Sequence, residues 1–196
     1  DATREDVPPA GYSGNAMYDG WGWWWFDLVD LQRGDNVSKD DILFCPSNPI
    51  QDPRLSLSGL YGNYGVNQSI CKEYSNYIVD EFRGEKSLGS LEITSTSATF
   101  LLADSGYAMV NWAVAADEPP QPVYYRKRAY VPGIEFNAEK DLLPNVAEDA
   151  LYGRHRGRTV NAAFVDGHVE SLEAEEFAVS KEEWGYANRR PLWSPQ

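Results

Sequence analysis

The clearest alternation of apolar and polar residues runs through "TVNAAFVDGHVESL", Thr159 to Leu172. A period of two on both sides of Asp166-Gly167 marks a pair of half-buried strands. Asp-Gly tolerates the positive φ that a type I′ turn needs at both central residues. The spacing predicts a β-hairpin with a two-residue loop, in which Val165 faces His168 and Phe164 faces Val169. Val160, Ala162, Phe164 and Val169 then share a core face, and Asn161, Ala163, His168 and Glu170 the outer one.

Weaker patterns fill in the rest. The apolar run Ala98 to Ala103 is broken by Asp104-Ser105-Gly106 and predicts a strand central in its sheet. Ile42 to Phe44 predicts a short strand stopped by Pro46, followed by a Pro- and Ser-rich loop to about Ser58. Tyr61 to Ser69 reads as extended or turn, with Asn67 bonding local backbone. Pro122 to Val131 is a further strand candidate, and Gly133 to Leu151 an acidic loop or broken helix. Helical spacing predicts short helices over Trp24 to Leu31 and Ala174 to Trp184, with "NRRPLWSPQ" as a tail.

Composition narrows the class. A chain of 196 residues, 42% hydrophobic and 13% aromatic, with 16 glycines and 12 prolines, is turn-rich and globular. It is long enough for one core, and residues 1–196 are read as a single domain. A net charge of −13 argues against nucleic acid as a partner. No apolar run approaches the roughly 20 residues needed to span a bilayer. The opening "DATREDVPPAGYSG" reads as the start of a piece cut from something longer. Cys45 and Cys71 would close a loop of about 26 residues if joined, or stay as two buried thiols.

Candidate chemistry is sparse. The only imidazole bases are His155 and His168, and no Gly-x-Ser-x-Gly elbow accompanies them. Arg154 and Arg156 flank His155, and two neighbouring positive charges are a poor setting for a general base. His155, Asp166 and His168 together offer a zinc-type ligand set, although the turn needs Asp166. The acidic stretch Asp27 to Asp41 has oxygens for calcium without the spacing of a calcium loop. Trp21, Trp23, Trp24 and Trp25 fit burial or a partner face better than a sugar platform, because neighbours so close cannot all point one way.

Four separated pieces form a recognisable combination: "FCPSNP" (Phe44 to Pro49), "GNYGVNQS" (Gly62 to Ser69), "LLADS" (Leu101 to Ser105) and "RHRGRTVNAAFVDGHVESL" (Arg154 to Leu172). In this order they resemble the bacterial prepilin-type family with a processing-associated H-x9-DG domain, similar to the G-class pseudopilins of type II secretion. The residues that carry the likeness are Cys45, Pro46, Ser47, Tyr64, Gly65, Asn67, Asp104, His155, Asp166, Gly167 and His168. Ten residues, Arg156 to Val165, separate His155 from Asp166 where the family pattern has nine.

The resemblance implies an α+β, pilin-like headgroup with an antiparallel sheet, short helices and long loops. It implies an upstream hydrophobic helix as inner-membrane anchor, other pilin or pseudopilin subunits and inner-membrane secretion components as partners, and a place on the periplasmic or extracellular face of the cell envelope. It also implies a structural subunit with no catalysis and no cofactor, calcium being the one ion considered. An oxidising periplasm would pair Cys45 with Cys71. Arg154, Arg156 and Arg158 form a basic patch for a neighbouring subunit or for an acidic face of the same headgroup. The alternatives are a carbohydrate-binding module using the Trp cluster and a metal-dependent hydrolase using His155 and His168.

Overall fold

A computed structural model describes residues 11–12, 23–24, 43–48, 50, 62–71, 73–74, 92–119, 127–191 and 193. Two-residue strands β1 (Gly11–Tyr12), β2 (Trp23–Trp24) and β4 (Glu73–Tyr74) form a small sheet in the order β2-β1-β4. Trp23 and Trp24 are therefore extended where a helix was expected to begin at Trp24, and the rest of that helix lies outside the described residues.

The main sheet has five strands in the order β6-β3-β5-β7-β8. They are β3 (Tyr64–Asn67), β5 (Phe100–Asp104), β6 (Met109–Val110), β7 (Thr159–Phe164) and β8 (Val169–Glu173). The expected central strand, β5, sits in the middle, antiparallel to both neighbours. The sheet is mixed and not purely antiparallel, because β6 runs parallel to β3. Its two faces bury different clusters. Phe100 and Ala103 join a large core with Val160, Phe164, Leu172, Phe177 and Trp193, while Leu101 and Leu102 pack against Leu43, Val66, Ile70, Cys71 and Met109. A register shift between Phe100 and Leu102 sends two successive side chains to the same face.

The β7–β8 hairpin exists with a different turn. Ala163 pairs with Val169 and Ala162 with Glu170, one residue out of the expected register. Gly167 N–H donates to the Phe164 carbonyl and Phe164 N–H to the His168 carbonyl, which makes the loop three residues long. Only Gly167 in it has positive φ, +93°. This is the other common hairpin closure, with glycine alone in the left-handed position. The shift moves Val169 out of the core, where it is 71% exposed. His168 instead lies opposite Phe164 and stacks on it at 4.2 Å, on the core face and not the expected outer face of the hairpin, while remaining exposed as expected. Gly167→Val is expected to cost about 1–3 kcal/mol from backbone strain alone, since a Cβ there meets nothing within 4 Å. His168→Ala should cost no more than about 1 kcal/mol for the lost ring contact. Thermal melts of both variants check that order.

Other segments depart from expectation for local reasons. Leu43 to Ser47 forms bends and a turn and no strand, closed by Asn48 N–H donating to the Cys45 carbonyl. Arg128 to Val131 is turn and irregular chain, with Tyr130 and Val131 fully buried. The broken helix before the hairpin is present: 3-10 turns at Glu135–Glu139 and Pro144–Val146 lead into α1 (Ala147–Tyr152). The expected helix from Ala174 to Trp184 is one 3-10 turn, Ala174–Phe177, followed by strands β9 (Val179–Glu182) and β10 (Gly185–Asn188). The tail folds too, and Trp193 is fully buried with its indole N–H donating to the Phe177 carbonyl.

Candidate functional site

The four quoted sequence pieces converge at one end of the central strands β3, β5 and β7, around two neighbouring side chains, Arg154 and His155. Helix α1 ends at Gly153, whose φ of +70° turns the chain back across the strand ends. Arg154 is thereby driven inward. Its Nε and Nη2 donate to the two oxygens of Asp149 at 3.2 and 2.6 Å. Nη1 donates to the carbonyls of Gly62 and Asn63, and Nη2 also to that of Ser105. All five guanidinium N–H groups are used.

The Arg154 side chain is 0% exposed and that of Asp149 1%. Arg154 is thus not part of a surface patch, and its partner lies in the same chain; Arg156 and Arg158 are exposed as expected. Tyr130 completes the group by donating its hydroxyl to Asp149 at 2.7 Å. Burial and the Asp149 charge push that phenol well above its ordinary pKa.

His155 faces the neighbouring strand ends. Its Nε2 lies 3.1 Å from Asp104 Oδ2, 3.9 Å from Cys45 Sγ and 3.0 Å from the Asn161 amide. Asp104, at the end of β5, is 0% exposed and accepts the Asn161 backbone N–H at 2.7 Å. Its other oxygen, Oδ1, is buried without a hydrogen-bond partner. Cys45 is held by its own N–H, which donates to Asn63 Oδ1 at 3.0 Å. Burial pushes the Cys45 thiol up, with Asp104 adding to the effect and Arg154 opposing it. Tyr64 lies beside the sulfur, and its hydroxyl is pushed up by burial first and by Cys45 next.

The remaining motif residues are architectural. Gly65 has no room for a side chain, because a Cβ would stand 2.4 Å from the Tyr107 carbonyl oxygen. Asn67 is fully buried, accepts the Ser69 N–H as expected, and also donates to the carbonyls of Phe100 and Trp193. Pro46 and Ser47 are exposed. Asp166 and His168 sit at the hairpin tip, where the histidine bonds the Asp166 carboxylate at 2.6 Å and holds it below the usual range. The set His155, Asp166 and His168 is not assembled. Among the described residues the one converging ligand group is Cys45, Asp104 and His155.

The expected Cys45–Cys71 disulfide is not formed, and both residues are buried free thiols. Cys45 faces His155, whereas Cys71 packs among Ile70, Val66 and Met109, where burial alone pushes its thiol far up. The Trp cluster and the acidic stretch Asp27 to Asp41 lie outside the described residues apart from the Trp23–Trp24 backbone. No helix among the described residues is long and apolar enough to cross a membrane. No family model matches the chain, and neither a curated protein nor a solved structure matches it.

Proposed function

We propose that this chain is the headgroup of a pilin-like filament subunit, a type II secretion pseudopilin or a type IV pilin relative. The observation that supports this reading is the Arg154 knot. Backbone carbonyls from the "GNYGVN" and "LLADS" pieces and the arginine of "RHRG" meet in one buried cluster. Residues that a catalytic motif would aim at a substrate are here spent on joining β3, β5 and α1. A subunit that must keep its shape under the repeated contacts of a filament uses motif residues in this way.

The Cys45, His155 and Asp104 side chains also lack the layout of a nucleophilic relay. In such a relay the nucleophile and the orienting carboxylate take opposite ring nitrogens of the histidine. Here sulfur and carboxylate lie on the same nitrogen, Nε2. The reading therefore carries no reaction. Its partners are other subunits and the inner-membrane assembly machinery, with the headgroup on the periplasmic or extracellular face of the envelope, joined to an upstream membrane helix.

Of the three arginines, Arg156 and Arg158 are exposed and available to a neighbouring subunit. The test is expression of the tagged full-length gene in its native host, followed by shearing and immunoblotting of surface filaments. The chain is expected in the filament fraction. Arg156→Glu with Arg158→Glu is expected to change headgroup stability by less than about 0.5 kcal/mol while lowering filament yield and altering its salt dependence. Filaments that assemble normally without the chain overturn the proposal.

A further inference from the structure

We propose that Cys45, Asp104 and His155 form a binding site for one divalent transition-metal ion of the zinc class. This inference is independent of the filament reading. One ligand atom from each residue lies within 4.8 Å of the other two. The separations of 3.1 Å from Nε2 to Oδ2 and 3.9 Å from Nε2 to Sγ are close to the edges of a tetrahedron around zinc, whose bonds run about 2.0–2.3 Å.

The neighbours of Nε2 are the first argument. A neutral imidazole nitrogen has a single proton or a single lone pair, so it can satisfy one partner. Three polar groups approach Nε2: a carboxylate oxygen, a thiol sulfur and an amide. A cation between them satisfies the imidazole lone pair, the sulfur and the carboxylate together. The Asn161 amide can rotate to turn its oxygen toward the same centre.

The second argument is Asp104 itself. A fully buried carboxylate with one oxygen unpartnered is costly to desolvate without a compensating positive charge. Arg154 senses the Asp104 charge through space, but every N–H it has is committed to Asp149 and to backbone carbonyls and none bonds Asp104.

The donor set selects the ion. One thiolate, one imidazole and one carboxylate suit zinc, or cobalt as its spectroscopic stand-in, and are too poor in oxygen for calcium or magnesium. On binding, the Cys45 S–H proton leaves to solvent and the sulfur ligates as thiolate. His155, 21% exposed, borders the path by which the ion enters. The bound ion would join the Leu43–Ser47 segment to β5 and to the turn after α1, the kind of tie that a disulfide would otherwise supply.

The experiment is a titration of the tag-free, chelator-treated protein with cobalt(II). One equivalent is expected to produce a thiolate-to-cobalt charge-transfer band in the near ultraviolet, which zinc then displaces. Cys45→Ser should abolish the band and Cys71→Ser should retain it. Asp104→Asn and His155→Gln should each weaken binding by more than about 100-fold, beyond the loss that outer-shell changes cause. Circular dichroism reports whether each variant is folded, and His155→Gln, at the most exposed ligand, serves if Asp104→Asn is not. A thermal midpoint raised by zinc and restored by chelator is the second expected readout. No band at one equivalent, or a band that survives Cys45→Ser, overturns the proposal.

Discussion

Arg154→Met is expected to lower the unfolding free energy by about 3–5 kcal/mol, because it strands the buried Asp149 carboxylate without its counter-charge. Methionine keeps much of the side-chain volume, so the loss is electrostatic and not a cavity effect. The substitution also orphans the carbonyls of Gly62 and Ser105 and takes one of two donors from that of Asn63, which keeps the Ser105 N–H. A second variant separates the two causes. Arg154→Met with Asp149→Leu removes the stranded charge but leaves the Gly62 and Ser105 carbonyls and the buried Tyr130 hydroxyl unpaired, at about 1–3 kcal/mol for each that water does not reach. The double variant should therefore recover only part of the loss. Urea unfolding at unchanged m-value measures both, and full recovery by the double variant would mean that the carbonyl contacts contribute nothing.

Trp193→Ala should be comparably damaging, at about 3–5 kcal/mol for a large aromatic removed from a closed core. The indole is fully buried, meets the Phe100 ring edge-on at 4.7 Å and donates to the Phe177 carbonyl. Trp193→Phe retains a ring but leaves that carbonyl unpaired, so it should cost about 1–3 kcal/mol. The two variants thus divide packing from hydrogen bonding in a segment that its sequence presents as a tail.

The parts of this structure legible in the sequence are those governed by short-range rules. The β7–β8 hairpin follows from alternation around Asp166-Gly167, and β5 from an unbroken apolar run closed by Asp104-Ser105-Gly106. Its register was not legible, because Asp-Gly serves a two-residue loop and Gly167 alone serves a three-residue one. The Ala174 to Trp184 segment carries helix-forming residues, yet Phe177 and Val179 are both buried against the sheet's core and draw it into a 3-10 turn and a strand. Tertiary burial outweighed local propensity there.

The site was half legible. Cys45, Asp104 and His155 each stood out within a quoted piece, but nothing in their spacing says that they meet. Asp149 was hidden in a stretch read as an acidic loop or broken helix, and only its position in the first turn of α1, five residues before Arg154, marks it in retrospect. Asn161 lay within the quoted hairpin and was assigned to an outer face; its side chain does face away from the main core, onto His155.

The strand order also bears on how the molecule is made. Among the described residues only the β7–β8 hairpin and the small β9–β10 ribbon join strands adjacent in sequence within a few residues, so they are the pairs that close quickly. Strand β3 has no main-sheet partner until β5 is synthesised, and β5 no second neighbour until β7. The large core still lacks its indole until residue 193 has appeared. Emerging from a ribosome, the first two-thirds of this chain thus carries Phe100, Val110 and Val114 without the Val160, Phe164, Phe177 and Trp193 that complete their core. Maturation depends on keeping that early portion apart from its copies until the C-terminal fifth arrives.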